Sequence, residues 1–201
     1  RLPEDGSPPP SAPSEFIRFT GVRPLVVITG HRRESFGGGL AAVCEGLAEL
    51  ARGYPGTDFV YPVHLNPSVQ AAVRGPLGNL SNVHLLDPVD YPSAIWLIKR
   101  CEFVITDSGG LQEEAPEFGK PVLVTRETTE RNEGIEAGCA ELVGHDKERL
   151  VAAARRFLDE PAAARLTVKN PYGDGRAGLR CAAALRERLG LAGEPEPPWV
   201  P

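Results

Sequence analysis

The stretch that decides the fold runs Glu102-Phe-Val-Ile-Thr-Asp-Ser-Gly-Gly-Leu-Gln-Glu-Glu114. Residues 102–106 form an apolar run that predicts a buried strand, and the glycine-rich turn at Ser108 predicts a helix start. Such a junction can hold a phosphate, because free backbone N–H groups and the positive end of the helix dipole point at one place. Glu113 and Glu114 would repel that phosphate, and only one of them can face the same cleft. A ribose diol is the natural partner for that carboxylate, so the stretch favours a bound nucleotide.

Apolar runs and helical patterns alternate along the rest of the chain. The runs predict strands at 25–29, 59–63, 83–86, 103–106, 121–124 and 141–143, and the helical patterns lie at 40–50, 67–73, 93–100, 146–158 and 176–189. Strands that are apolar throughout indicate a sheet covered on both faces, and short strand–helix connections indicate parallel strands. The sequence therefore predicts an α/β fold with a doubly wound, Rossmann-like parallel sheet. Ligands of such sheets bind outside the carboxyl ends of the strands.

Composition excludes several classes of function. The chain has 201 residues, of which 41% are hydrophobic and 24% charged, and its net charge of −5 argues against a nucleic-acid partner. No apolar run approaches the ~18–20 residues that span a bilayer, so no membrane partner is expected. The cysteines lack a C-x-x-C pair, which favours small buried thiols over zinc or disulfides and a reduced, cytoplasmic setting. They are Cys44, Cys101, Cys139 and Cys181.

Both ends of the chain are predicted to lie outside the core. Residues 1–21 are rich in Pro, Ser and Gly and are interpreted as a linker, and residues 191–201 as a disordered tail. The folded domain is predicted at 22–190. The sequence begins with Arg1 and contains no Met, which we interpret as a processed product or a fragment.

Two loops after predicted strands carry basic groups. Residues 30–39 combine His31, Arg32 and Arg33 with four glycines, which predicts an anion site. Residues 126–133 are strongly charged, and either of the two arginines in this run could supply the positive charge that a diphosphate needs.

Two further strand-end loops leave alternatives open. His64 could face a ligand or cap the helix that starts at Asn66-Pro67. The proline-rich loop 87–92 could form a platform for a flat ring or a plain strand–helix turn. The chain has no nucleophile elbow, no H-E-x-x-H pair and no Walker lysine loop.

Five segments together resemble the non-hydrolysing UDP-N-acetylglucosamine 2-epimerases. Each is moderately specific alone, but five in this order are highly specific, and they span roughly residues 22–190. They are Thr29-Gly-His-Arg-Arg-Glu-Ser-Phe-Gly37, Tyr61-Pro-Val-His-Leu-Asn-Pro67, Thr106-Asp-Ser-Gly-Gly-Leu-Gln-Glu-Glu-Ala-Pro116, Arg126-Glu-Thr-Thr-Glu-Arg131 and Asn170-Pro-Tyr-Gly-Asp-Gly175.

The resemblance implies one half of a GT-B architecture, in which two Rossmann-like domains enclose the active site. This chain would be the C-terminal, nucleotide-binding domain, and the N-terminal domain would be missing. The family interconverts UDP-GlcNAc and UDP-ManNAc: UDP leaves after C2 is deprotonated and adds back after reprotonation on the other face. The resemblance implies neither a metal nor a nicotinamide cofactor, and it leaves a homodimer of the full-length protein open.

The resemblance also implies roles for individual residues. It places the diphosphate on Ser108, Gly109 and Gly110, the ribose on Glu114, and UDP also on Arg131, with the backbone of Val89 pairing with uracil. His31 would face the phosphates and the sugar and assist departure of UDP. Arg32 and His64 match positions that, in bacterial members with a regulatory site, contact a second UDP-GlcNAc. From the motif we expect Glu114→Ala to weaken UDP binding and Glu113→Ala to do much less.

Two departures from the family pattern affect nucleotide affinity. Ala94 stands where a phenylalanine beside the uracil is common, and Asn132 stands where proline is usual. A third difference is that nothing upstream of Leu25 can supply the acid and base carboxylates, which belong to the family's other domain. We therefore expect the chain to be catalytically incomplete alone. The alternatives are a stand-alone nucleotide-sugar binding module and the donor domain of a GT-B glycosyltransferase.

Overall fold

Six parallel strands form a sheet in the order β3-β2-β1-β4-β5-β6. The structure, a computed structural model, describes residues 2–30 and 38–199, without the side chain of residue 162. Every neighbouring pair of these strands is parallel, which confirms the doubly wound α/β fold. The strands are β1 (Leu25–Thr29), β2 (Asp58–Pro62), β3 (Val83–Leu86), β4 (Phe103–Thr106), β5 (Val122–Val124) and β6 (Ala140–Leu142).

Helices follow the strands, and some of them begin at polar caps. Asn66 accepts a hydrogen bond from the backbone N–H of Ser68 at 2.9 Å, at the helix start that the sequence predicts. Asp146 caps its helix through the N–H of Arg149 at 3.0 Å. The α-helices in the described part are α1 (Gly38–Gly53), α2 (Pro67–Leu77), α3 (Tyr91–Arg100), α4 (Gly109–Glu114), α5 (Asn132–Glu136), α6 (Lys147–Asp159) and α7 (Ala177–Arg188). The sequence patterns missed α5, which at five residues is too short to show a helical period.

The core has two halves, one on each face of the sheet. Val26 and Ile28 of β1 pack into the half that includes α1, α2 and α6, whereas Leu25 and Val27 pack into the half that includes α3. Successive strand residues point to opposite faces, so a strand buried on both sides must be apolar at every position. This is why the strands read as continuous apolar runs.

The N-terminal segment belongs to the second half of the core. A 3₁₀ helix at Ser14–Thr20 buries Phe16 and Phe19, and the Phe16 ring lies 5.6 Å from the ring of Trp96. The indole Nε1 of Trp96 donates to the carbonyl oxygen of Gly6 at 2.9 Å. The prediction that residues 1–21 are a linker outside the core is therefore wrong for this part. The proline-rich composition indicated a linker, but Phe16 and Phe19 are three residues apart and so share one face of a 3₁₀ helix.

The cysteines and the C-terminal tail add two observations. Cys44, Cys101 and Cys139 are buried as predicted, and burial raises the pKa of Cys44 to about 12. Cys181 is exposed on α7, so the prediction of a buried thiol is wrong there.

The segment predicted as a disordered tail has no helix or strand from 191 to 199, and its Pro197 carbonyl accepts from Arg180 Nε at 2.6 Å. Among the described helices, none has the length and apolar character needed to cross a bilayer.

Candidate functional site

The strand order reverses between β1 and β4, and the predicted phosphate turn lies at this point. Thr29 at the end of β1 and Thr106 at the end of β4 are register partners, and their hydroxyl oxygens lie 2.5 Å apart. The adjacent carboxyl ends of β1 and β4 therefore mark the point in the sheet where doubly wound folds bind ligands. The sequence-predicted residues Ser108, Gly109 and Gly110 follow shortly after β4, at this end of the sheet.

The Ser108 turn is held from below by the strand. The backbone N–H of Ser108 donates to Thr106 Oγ1 at 2.9 Å, so this donor is already engaged. The donors that remain for an anion are the first amides of α4, which have no partner one turn earlier in the helix. Because α4 has only six residues, its dipole is small, and an anion site at this turn requires nearby cations as well.

A buried glutamine that the sequence patterns missed joins the turn to the charged loop after β5. Gln112 is fully buried; its Nε2 donates to the Ser108 carbonyl at 3.2 Å, and its Oε1 accepts from Thr129 Oγ1 at 2.7 Å. The same Thr129 hydroxyl accepts from the backbone N–H of Arg131 at 3.1 Å. The signal available in the sequence was the spacing of four between Ser108 and Gln112, which places them on one helix face.

This connection brings Arg131 against the phosphate turn. A Cβ built on Gly109 would lie 3.8 Å from Nη2 of Arg131 and 3.2 Å from Oε1 of Glu130. Arg126, the other candidate cation, donates through Nη1 to Glu130 Oε2 at 2.7 Å and is mostly buried. Glu130 therefore lies between the two arginines. Of the two arginines, Arg131 has its guanidinium beside Gly109 of the turn.

The two adjacent glutamates diverge. Glu113 accepts a hydrogen bond from Arg131 Nε, whereas Glu114 pairs with the hydroxyl of Tyr91 at the start of α3. Burial raises the pKa of Glu114, the Tyr91 hydrogen bond opposes that rise, and the charge of Glu113 adds to it. The pKa of Tyr91 is raised, chiefly by the Glu114 charge. Only Glu114 therefore faces α3 and the loop that precedes it.

A cavity of about 240 Å³ lies beside α4, and several of the residues predicted for the site line it. Val89, Ala94 and His64 line it together with Ser108, and its walls are largely apolar. Cavities of this kind, apolar with a few convergent polar groups, suit a flat base. The lining residues are Val27, Thr29, Gly30, Pro62, His64, Pro88, Val89, Ala94, Leu97, Ile98, Ser108 and Leu111.

His64 combines the two alternatives that the sequence left open. Its Nδ1 accepts from the backbone N–H of Asn66 at 3.1 Å, so it caps the turn before α2, and it also lines the cavity. The predicted catalytic His31 and the predicted regulatory Arg32 lie outside the described residues. Upstream of them, Gly30 is held by the hydroxyl of buried Tyr61, which donates to its carbonyl at 3.1 Å, and a Cβ at Gly30 would meet that hydroxyl at 2.8 Å.

A larger groove of about 940 Å³ lies elsewhere, along β6 and α6 at the edge of the sheet. Its residues, which include Arg149, Arg155 and Arg156, are remote from the β1–β4 crevice in the strand order. We therefore assign the ligand site to the smaller cavity, because that cavity lies where the fold exposes the ends of the two central strands.

Comparison with known proteins agrees with this geometry. A family model described as UDP-N-acetylglucosamine 2-epimerase matches residues 11–186. The chain belongs to the UDP-N-acetylglucosamine 2-epimerase family. Among its relatives, the UDP-N-acetylglucosamine 2-epimerase of Escherichia coli K12 is 48% identical over 164 residues, 81% of this chain and 44% of the relative. That of Campylobacter jejuni is 49% identical over 155 residues, 76% of this chain and 40% of the relative.

Solved structures of the epimerase family share the fold. The S. aureus MnaA structure with UDP has a TM-score of 0.89 and 32% identity, and the match covers 99% of this chain and 54% of MnaA. A UDP-GlcNAc 2-epimerase from Neisseria meningitidis, bound to UDP-GlcNAc, has a TM-score of 0.77 and 38% identity, and the match covers 82% of this chain and 45% of the other. The chain thus spans about half the length of the family members that it matches.

Proposed function

We propose that this chain is the UDP-binding, C-terminal domain of an enzyme that interconverts UDP-GlcNAc and UDP-ManNAc. The observation that carries the proposal is the convergence of three features at one crevice. These are the Ser108 turn with its open amides, the Arg131 guanidinium beside Gly109, and the apolar cavity at Val89. Ser108 belongs both to the turn and to the lining of the cavity, so the proposed diphosphate and base sites adjoin each other.

Each part of UDP has a matching group. The diphosphate lies on the turn at Ser108, Gly109 and Gly110, where the first amides of α4 and the Arg131 side chain donate to it. The uracil enters the cavity and pairs with the backbone of Val89. The ribose then lies between these two sites, where Glu114 replaces its hydrogen bond from Tyr91 with bonds from the sugar hydroxyls.

The rest of the reaction is assigned to groups beyond this domain. We propose a GT-B arrangement whose other Rossmann-like domain supplies the acid and base at C2, since the chain matches less than half of its curated relatives' length. His31 then assists departure of UDP, and Arg32 and His64 contact a second UDP-GlcNAc. The cytoplasmic location and a homodimer of the full-length protein also remain predictions.

An assay of UDP-GlcNAc turnover tests this proposal. The 201-residue chain is incubated with UDP-GlcNAc alone and with the N-terminal half of the E. coli relative, and ManNAc-containing product is followed by NMR. We expect UDP binding without turnover by the chain alone, and epimerisation only when both halves are present, as separate or fused chains. Epimerisation by the chain alone contradicts the assignment of the proton chemistry. Sugar transfer to an acceptor, without epimer, favours a glycosyltransferase donor domain.

A further inference from the structure

The segment Asn170-Pro-Tyr-Gly-Asp-Gly175 lies beside the candidate site without lining its cavity. Its side chains contact α4, which carries Glu113, and α5, which Arg131 precedes. Asn170 Nδ2 donates to the carbonyl oxygen of Glu113 at 3.2 Å and to Glu117 Oε2 at 3.1 Å. Asn170 Oδ1 accepts from the backbone N–H of Tyr172 at 3.2 Å. The segment is therefore tied to α4 and holds Tyr172 in place.

Tyr172 makes the second attachment, to the start of α5. Its hydroxyl accepts from the backbone N–H of Gly134 at 2.9 Å and donates to the carbonyl oxygen of Arg131 at 3.1 Å. The approach requires a glycine, because a Cβ at residue 134 would come within 2.4 Å of the hydroxyl oxygen. Tyr172 thus satisfies one of the open amides at the start of α5 and holds the residue that precedes the helix.

Side chains hold Arg131 at three points. Thr129 Oγ1 accepts from its backbone N–H, Tyr172 holds its carbonyl, and Glu113 accepts from its guanidinium. The backbone of Arg131 has φ −107° and ψ 55°, outside the helical region, so the helix itself does not set this conformation. Asn132 follows it in place of the usual proline, so neighbouring side chains must determine the direction of the arginine.

We infer that Tyr172, held by Asn170, is a positioning residue that sets the Arg131 guanidinium against the diphosphate of a bound nucleotide. The inference rests on the proposed UDP site and assigns to the Asn170–Gly175 segment a role in phosphate recognition. Tyr172 acts through the Arg131 backbone, so its effect is confined to the ligand's phosphates.

Calorimetry of Tyr172→Phe with UDP and with uridine separates positioning from general stability. The phenylalanine keeps the ring and removes both hydroxyl hydrogen bonds. We expect UDP affinity to fall about 3- to 10-fold, the effect of one or two lost hydrogen bonds, and uridine affinity to stay unchanged. In an Arg131→Ala background the same substitution should cause no further loss, because the positioned group is gone. Thr129→Val, which releases the Arg131 N–H, should show the same selective loss of UDP affinity.

Tyr54→Phe is the matched control. This substitution also removes a hydroxyl hydrogen bond, from Tyr54 to Asp159 Oδ1 at 2.6 Å. Tyr54 precedes β2 and so lies near the amino ends of the strands, whereas the candidate site lies at their carboxyl ends. Tyr54→Phe should leave both affinities unchanged. Undiminished UDP affinity of Tyr172→Phe, or equal losses for UDP and uridine, would overturn the inference while wild-type UDP binding stands. Absence of UDP binding by the wild-type chain would overturn the proposed function and the inference with it.

Discussion

Arg131 donates through Nε to the carboxylate of Glu113, eighteen residues earlier in the chain. This pairing separates the two neighbouring glutamates, because it directs Glu113 toward the residue before α5, whereas Glu114 pairs with Tyr91. In the proposed site, Glu113 is engaged by Arg131, so we assign the ribose to Glu114.

Substitution of the two glutamates should therefore have unequal effects. We expect Glu114→Ala to weaken UDP and uridine binding alike, by on the order of 1.5–3 kcal/mol, since hydrogen bonds to a charged group are lost. Glu113→Ala should cause a smaller loss, seen with UDP only, because it removes one of three contacts on Arg131 and a nearby negative charge. Titration calorimetry with both ligands measures these effects. Equal losses of uridine affinity in the two variants would show that assigning the ribose to Glu114 alone is wrong.

Acid should weaken binding through Glu114. Burial raises the pKa of this carboxyl, so it takes up a proton at a pH above the ordinary value of about 4.3 for glutamate. The protonated form has less acceptor capacity for a diol, so affinity should fall as pH decreases toward the raised pKa and recover as pH increases. UDP-GlcNAc is the suitable ligand, because its diphosphate diester does not titrate near neutral pH. Its affinity is measured by calorimetry over a pH series.

Glu114→Gln is the control for this pH dependence. It keeps a hydrogen-bonding side chain and removes the titration, so any loss of affinity in acid that remains belongs to other groups. An unchanged pH profile in Glu114→Gln would contradict the assignment of the titrating group.

An aromatic side chain at residue 94 should raise the affinity for UDP and uridine. Ala94→Phe places an aromatic face in the apolar cavity of about 240 Å³ beside Val89. We expect UDP and uridine to bind about 2- to 10-fold more tightly, since an aromatic pair contributes about 0.5–1.5 kcal/mol beyond its buried area. Ala94→Leu, which adds bulk without an aromatic face, should gain less. Unchanged UDP and uridine affinities in both Ala94 variants would show that the base does not occupy this cavity.

The N-terminal segment should contribute to the stability of the domain. Phe16 is fully buried, so Phe16→Ala should reduce the free energy of unfolding by about 3–5 kcal/mol, as measured by urea denaturation. The adjacent Ile17 is 69% exposed, and Ile17→Ala should have little effect. Equal stabilities of the two variants would contradict the packing of residues 14–20 on the sheet.

The features that could be predicted from the sequence are those that local pattern encodes. The apolar run at β4, the turn at Ser108 and the helix start at Asn66 are each determined by residues within one turn or strand. Phe16 was missed because its partner, Trp96, lies eighty residues away in the sequence and composition alone gives no contact.

The supporting residues of the site escaped prediction for a similar reason. Gln112 acts through a hydrogen bond to the Thr129 side chain and Tyr172 through hydrogen bonds to distant backbone atoms. Their residue types are common in ordinary helices and turns. The commitment of the Ser108 N–H to Thr106 Oγ1 likewise depends on how the strand end is placed in three dimensions. The sequence pattern located the candidate-site loops, but only the three-dimensional structure shows which of their hydrogen-bond donors already have a partner.

The most direct test of the proposed UDP site is calorimetric titration of the 201-residue chain with UDP, compared with Arg131→Ala. We predict saturable binding of one UDP per chain, weaker binding of uridine, and a loss of about 10- to 100-fold in UDP affinity for Arg131→Ala, the size expected for a charge-assisted contact. Absence of saturable binding by the wild-type chain, or equal UDP affinity of Arg131→Ala, would contradict the account.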